Sequence, residues 1–350
     1  MTPDSLAAGI VWSGAAWWGY TYVGYPLALG ALTLGRRRAT IVDDRTEWPM
    51  VTICLVARNA GSTIAQTIER LLALDYPADR RHILIASDAS SDATDDEIRA
   101  YAHRGVQLVR VDVRCGKTAC ENWASGQLRG QIVVNTDVDV VVDRNAIKRL
   151  VRAFDDPRVA LASGRDVSIP PQSTAAPGTR SESSYIGYEM MLRALETDLG
   201  GIVGASGCLY AVRPDIQRTW LPGGLCRDFA AALIARRRGL RAVSVDDAVC
   251  YVPRSTDLGA EFRRKRRTCT RGLATLLYFG ALLNPLRYGA FAWMLASHKL
   301  MRWLSPWVAL PVVGAIAVLG MRSVPARIAS VALLIGAAAG IAGYRVARGT

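Results

Sequence analysis

Histidine is nearly absent from this 350-residue chain: His82, His103 and His298 are its three. They are scattered with no ligand spacing, so neither a histidine metal site nor a histidine-driven nucleophile is indicated. Lysine is also scarce. Of 43 basic residues only Lys117, Lys148, Lys265 and Lys299 are lysines. Against such an arginine background a lysine marks a place where a compact point charge is wanted. No C-x-x-C pair occurs among Cys54, Cys115, Cys120, Cys208, Cys226, Cys250 and Cys269. That pattern reads as reduced core thiols, neither a disulfide framework nor a zinc site. No G-x-G-x-x-G or G-x-x-x-x-G-K-[ST] stands where it would be needed, which excludes a dinucleotide fold and a P-loop. There is no internal repeat.

Acidic residues are outnumbered, giving a net charge of +13 and a pI near 9.8. Nucleic-acid binding is the first reading of such a balance, but apolar segments and a carboxylate-rich centre exclude it here. Residues 6–34 carry no charge and are followed by Arg36, Arg37 and Arg38. This run exceeds the ~20 residues that cross a bilayer. Residues 305–321 and 328–344 are two further apolar runs, separated by Arg322 and Arg327. Placing the triple arginine inside puts the central domain in the cytoplasm. The stretch 273–304 mixes apolar residues with Arg287, His298, Lys299 and Arg302, and reads as amphipathic helices at the membrane surface. The expected organisation is an N-terminal transmembrane helix (1–35), a linker (36–48), a catalytic domain (49–272), interfacial helices (273–304) and a transmembrane hairpin (305–350). The Pro/Ser/Thr-rich segment 169–184 reads as a loop between two halves of the catalytic domain.

Within that domain, VTICLVARN (51–59) is an apolar run ending in a polar turn, as a buried parallel strand would be. Ile64, Ile68, Leu71 and Leu72 then recur at helical spacing. HILIASDASSDATDDEI (82–98) is a second strand breaking into acids and a helix, with Asp88 and Asp92 where the strand ends. Ligands bind at such strand ends in open parallel sheets. RCGKTACENWASG (114–126) puts Lys117 after a glycine turn, at the start of another helix beside the presumed nucleotide site. QIVVNTDVDVVVD (131–143) reads as a strand carrying Asp137 and Asp139 one residue apart, hence on one face. Two carboxylates so placed repel unless a cation joins them, and Mg²⁺ or Mn²⁺ favours such oxygen ligands.

The order of these motifs resembles family 2 glycosyltransferases of the GT-A fold, the group that includes membrane-embedded polysaccharide synthases. The matching segments are ARN (57–59), SDASSDAT (87–94), GKTACEN (116–122), NTDVDV (135–140), GASGCLYAVRP (204–214), RDF (227–229) and EFRRKRRTCTRG (261–272). The resemblance implies an α/β domain with a mixed, mostly parallel sheet flanked by helices, together with flanking transmembrane helices. It implies that Asp88 holds the nucleotide base near Asn59, and that Asp137 lies near the sugar-nucleotide. Asp139 would coordinate the divalent cation on the diphosphate. Gly207 would line the acceptor side, Asp228 would match the catalytic base, and Lys265 and Arg266 would lie in the segment closing over the diphosphate.

Three departures from the family pattern stand out. The usual Asn-Glu turn reads Asn59-Ala60. The acidic partner before the base is Arg227. The Gln-x-x-Arg-Trp motif reads Lys265-Arg266-Arg267-Thr268-Cys269, without the tryptophan that stacks on an acceptor sugar. Arg227 beside the base is expected to lower its pKa. The expected activity is inverting transfer from a nucleotide-sugar, UDP-linked, to a lipid-linked or saccharide acceptor at a bacterial inner membrane. Envelope or exopolysaccharide synthesis is the setting, with export or assembly subunits as candidate partners. A sugar-nucleotide-binding subunit without turnover is the alternative.

Overall fold

Buried β-branched runs punctuated by glycine and polar turns build the central sheet in the computed structural model, which describes residues 2–36, 47–169, 177–253, 258–332 and 335–336. Helices α1 (Pro3–Gly19) and α2 (Tyr25–Thr33) come first, joined by a π-helical turn over Tyr20–Gly24. Next are β1 (Val51–Ala57), α3 (Ile64–Leu72), β2 (Arg81–Asp88), α4 (Thr94–Ala100), β3 (Val106–Val111), α5 (Lys117–Ala124) and β4 (Ile132–Thr136). The second half adds β5 (Val141–Val142), α6 (Ala146–Arg152), β6 (Val159–Ile169), α7 (Pro177–Leu199), β7 (Leu209–Val212) and α8 (Pro214–Gln217). It ends with α9 (Arg227–Arg237) and β8 (Arg241–Pro253). Helices α10 (Leu258–Tyr278), α11 (Pro285–Tyr288), α12 (Ala290–Leu295) and α13 (Met301–Gly320) follow.

The strands pair in the order β3-β2-β1-β4-β7-β6-β8-β5. β3, β2, β1 and β4 are mutually parallel, and β7 and β5 run against their neighbours, so the sheet is mixed and mostly parallel. Parallel strands need crossovers, and α3, α4 and α5 supply them. Ile64, Ile68 and Leu71 of α3 are fully buried, because their spacing places them on one helix face against Ile53, Leu55 and Ile83 of the sheet. The shared direction of β1, β2 and β4 delivers their C-terminal turns to one edge. Asn59, Asp88 and Asp137 follow or close those strands.

Two sequence expectations change here. Residues 177–184 are helical and belong to α7, so the expected loop over 169–184 ends earlier, and 170–176 lie outside the described residues. The aspartate pair is not on a strand. β4 stops at Thr136, and the Val140 N–H closes a turn on the Asp137 carbonyl at 3.3 Å. The strand argument for a shared face therefore fails. Val138, between them, packs against the core, and its carbonyl accepts the Thr67 hydroxyl at 2.6 Å.

The chain divides into two units. Gly35–Arg254 with Ala274–Leu282 forms the sheet-bearing unit, and Met1–Leu34, Ser255–Leu273 and Leu283–Thr350 form the other. In the latter, α1 packs on α13. The Trp17 indole N–H donates to the Met301 carbonyl at 3.2 Å and the Ser305 hydroxyl at 3.3 Å. Among the described residues, one continuous helix, Ala290–Gly320, is long and apolar enough to cross a membrane. It begins well before residue 305, inside the segment 273–304 that was expected to be interfacial. The end of α10, a 3₁₀ turn at Gly280–Leu283 and α11 occupy its first part, and the long helix takes the rest. The N-terminal run is helical as α1 and α2, but its many tryptophans and tyrosines leave it less apolar than that standard. The expected multi-pass arrangement is accordingly not supported by the described helices. The proposed span 328–344 lies mostly outside the described residues.

Candidate active site

The turns after β1 and β2 are stitched together by side chains. The Asn59 amide oxygen accepts the Ser91 N–H at 3.0 Å, and its own N–H donates to the Ser90 hydroxyl at 3.2 Å. Asn59 has a φ of 49°, a left-handed conformation that asparagine tolerates better than most residues. The Ala60 N–H donates to the Thr94 hydroxyl at 2.7 Å, and the Gly61 N–H to Asp92 at 2.9 Å. Asp92 thus ties the first turn to the start of α4, while Asp88 is buried at the end of β2.

Asp88 ends β2. Its Oδ1 accepts the Cys115 N–H at 2.7 Å and its Oδ2 the Gly116 N–H at 3.0 Å. Burial would raise this carboxyl, but the backbone and thiol donors outweigh it and hold the pKa below its ordinary value. Gly116, with a φ of 85°, makes the turn that starts α5 and aims Lys117 at Asp137, 2.5 Å away. Burial alone would lower the Lys117 pKa. Asp137 and Glu121 overcome that and hold the ammonium firmly protonated.

Beneath this pair lies a buried ionic layer that no sequence motif announced. Glu121 and Arg227 are each 3% exposed and meet at 3.2 Å. Arg227 also donates to the carbonyls of Gln217 (2.9 Å) and Thr219 (3.2 Å), and to the Asn122 amide oxygen. Burial raises the Glu121 carboxyl, with Lys117 and Arg227 opposing. Arg227 therefore serves the packing of α5 against α9. Replacing Arg227 with leucine should cost about 3–5 kcal/mol of stability in urea unfolding, because Glu121 would stay buried without its partner. Pairing that change with Glu121→Leu should recover much of the loss.

Asp228, the next residue, sits in the first turn of α9, half-buried against Gly207. A Cβ at Gly207 would lie 2.8 Å from Asp228 Oδ2, so only glycine permits this approach. The expectation that Arg227 lowers the Asp228 pKa is overturned. Burial raises its pKa above the ordinary value, and the Asp137 charge adds to this. Lys117, the Phe229 N–H and Arg193 oppose without winning, and Arg227 is turned away toward Glu121.

The structure thus gathers Asn59 with Asp88, Lys117 with Asp137, and Gly207 with Asp228 in the sheet-bearing unit. Asp139 is exposed on the turn after β4. Lys265 and Arg266 are exposed on α10 in the other unit, where Lys265 lies 3.5 Å from Glu261 of the same helix. Sequence reading missed Glu121, and also Tyr210 of β7, whose buried hydroxyl has no hydrogen-bond partner among the described residues. Its pKa is raised by burial, then by Glu121 and Asp228. The signal available was a carboxylate within KTACEN, one turn after Lys117.

The profile of Glycosyl transferase family 2 matches residues 52–214. Beta-monoglucosyldiacylglycerol synthase of Synechocystis sp. is 31% identical over 114 residues, covering 31% of this chain and 24% of that protein. The synthase of the same name from Trichormus variabilis is 24% identical over 212 residues, covering 57% of this chain and 45% of its own length. The chain therefore spans less than half the length of these relatives. Among solved structures, the mannosyltransferase PcManGT from Pyrobaculum calidifontis, in complex with GDP-Man and Mn²⁺, superposes with a TM-score of 0.75. Identity is 22%, over 99% of this chain and 94% of that one, which establishes a shared GT-A-like fold.

Proposed function

We propose that this chain, whose residues 52–214 match the profile of Glycosyl transferase family 2, transfers one sugar, with inversion, from a nucleoside-diphosphate donor to a hydroxyl of a lipid-borne or saccharide acceptor at a membrane. The observation that carries the reading is Asp228: half-buried behind Gly207, with a raised pKa, beside the charges of Lys117 and Asp137. A general base works best when its pKa approaches the working pH, and this environment moves Asp228 in that direction. Asp228 takes the acceptor proton as the acceptor oxygen bonds to the anomeric carbon. The bond from that carbon to the diphosphate oxygen breaks on the opposite face, and the diphosphate leaves with the electron pair.

Asp139 and Asp137 offer carboxylate oxygens only, a donor set that suits Mg²⁺ or Mn²⁺. The two differ in setting: Lys117 already offsets Asp137, whereas Asp139 is exposed and available to a cation. A bound divalent cation would neutralise charge on the departing diphosphate. Asp88 and Asn59 would hold the base. Incubating the full chain with UDP-, GDP- and TDP-sugars and Mn²⁺ should release nucleoside diphosphate, from UDP-sugars above all. No release from any donor overturns the reading. Products should carry a single added sugar, because Lys265–Cys269 lacks a stacking tryptophan; a polymer ladder would contradict this. The alternative of a binding subunit in an assembly complex drew on Ala60 and Arg227; the structure directs Arg227 to Glu121.

The names of the glycolipid-synthase relatives favour a lipid acceptor, and the apolar helix Ala290–Gly320 supplies an anchor. We place the sheet-bearing unit in the cytoplasm. Reporter fusions near residue 45 and at residue 324 should score cytoplasmic and periplasmic respectively. Both on one side would rule out a crossing through Ala290–Gly320.

A further inference from the structure

Asp88, Cys115 and Cys120 bring one carboxylate oxygen and two sulfurs within 4.8 Å of one another. The sulfurs are 3.5 Å apart. Cys120 is fully buried on α5, and Cys115 is half-buried on the turn before it. Gly116, with its positive φ, folds Cys115 back over the first turn of the helix. Asp88 is held in place by the Cys115 and Gly116 N–H groups, one on each oxygen. A carboxylate oxygen has two lone pairs, so each keeps one: one oxygen can take a cation while the other still meets the base assigned to Asp88 above.

We propose that Asp88, Cys115 and Cys120 form a binding site for a thiophilic divalent cation of zinc-type chemistry. Two sulfurs on a tetrahedral zinc at ~2.3 Å stand about 3.8 Å apart, so the observed 3.5 Å needs a shift of a few tenths of an ångström. A disulfide would need the sulfurs to close to ~2.05 Å, a much larger movement within one helical turn. Binding releases the two thiol protons and forms two metal–sulfur bonds and one metal–oxygen bond, with no change of oxidation state. A fourth position stays open to water. Sulfur ligands favour zinc-like ions over Mg²⁺ or Mn²⁺, which separates this site from the oxygen ligands at Asp139. Lys117 lies between the two cysteines in sequence, so the cation would pin the turn that carries it.

The test titrates the reduced full chain, kept in a phosphine reductant, with Cd²⁺ and follows thiolate-to-metal charge-transfer absorption. One equivalent should bind with a strong band. Cys115→Ser should weaken binding by at least the ~10-fold lost with even an outer-shell partner, and Asp88→Asn should weaken it as well. Cys120→Ser replaces a buried side chain and could unfold the protein, so Cys115→Ser, checked by circular dichroism, decides the matter. Cys269→Ser, at an exposed thiol, should leave the band intact. A band that survives Cys115→Ser, follows Cys269, or never forms would overturn the proposal. None of these readouts depends on glycosyl transfer, so failure here leaves the proposed function standing.

Discussion

Asp139→Ala should abolish donor turnover and the Mn²⁺-dependent part of UDP affinity together. The turn after β4 presents two carboxylates, but among the described residues only Asp137 has a built-in counter-charge, the Lys117 ammonium at 2.5 Å. Asp139 is exposed, and on the proposed function it would be the oxygen donor that meets a cation delivered with the diphosphate. Charge stabilisation of a leaving group by a metal is worth several kcal/mol. At 1.36 kcal/mol per decade, a loss of about 4 kcal/mol slows transfer roughly 10³-fold. Calorimetric titration with UDP, with and without Mn²⁺, checks the binding half. Unchanged metal-dependent binding in the variant would remove Asp139 from the site.

Asp228→Asn should lower transfer by at least the ~100-fold typical of a lost general base, while donor affinity stays near that of the parent. The same variant should also be more stable at neutral pH. The folded-state pKa of Asp228 is raised by burial, so above its ordinary pKa the folded chain holds this proton longer than the unfolded chain. Stability from the protonated form is complete below the unfolded pKa and is lost as pH rises through the folded one. Asparagine does not titrate, so its stability advantage should widen from pH 4 upward across the raised pKa. Urea unfolding at three pH values measures it. Parent transfer should likewise fall as pH drops through that pKa. An asparagine variant with full transfer and unchanged stability would reduce Asp228 to a first-turn helix residue with no part in the chemistry.

These two residues were legible for different reasons. Asp139 was visible as part of a short pattern, yet the argument that placed it on a strand was wrong. The turn arises because Val138 is drawn into the core and the Val140 N–H bonds back to Asp137. Asp228 was visible through its likeness to the family motif, but the sign of its pKa shift was not. A neighbouring arginine in sequence says nothing about where its guanidinium points. Burial among Gln217, Thr219, Asn122 and Glu121 takes Arg227 away from its neighbour.

Local pattern determined a good deal by itself. The apolar runs of β1, β2 and β4, the helical spacing of Ile64, Ile68 and Leu71, and the polar strand ends define βαβ units, because side-chain periodicity and turn chemistry act over a few residues. The collinear motifs extended this to the enzyme family. Only the tertiary structure decided which charges meet. Glu121 and Arg227 lie on different helices, Gly207 and Asp228 on different segments, and Asp88 and Cys115 on either side of β3. Such pairings depend on how the crossovers bring distant segments together. The energy of a buried charge depends on everything around it, which no local window of sequence contains.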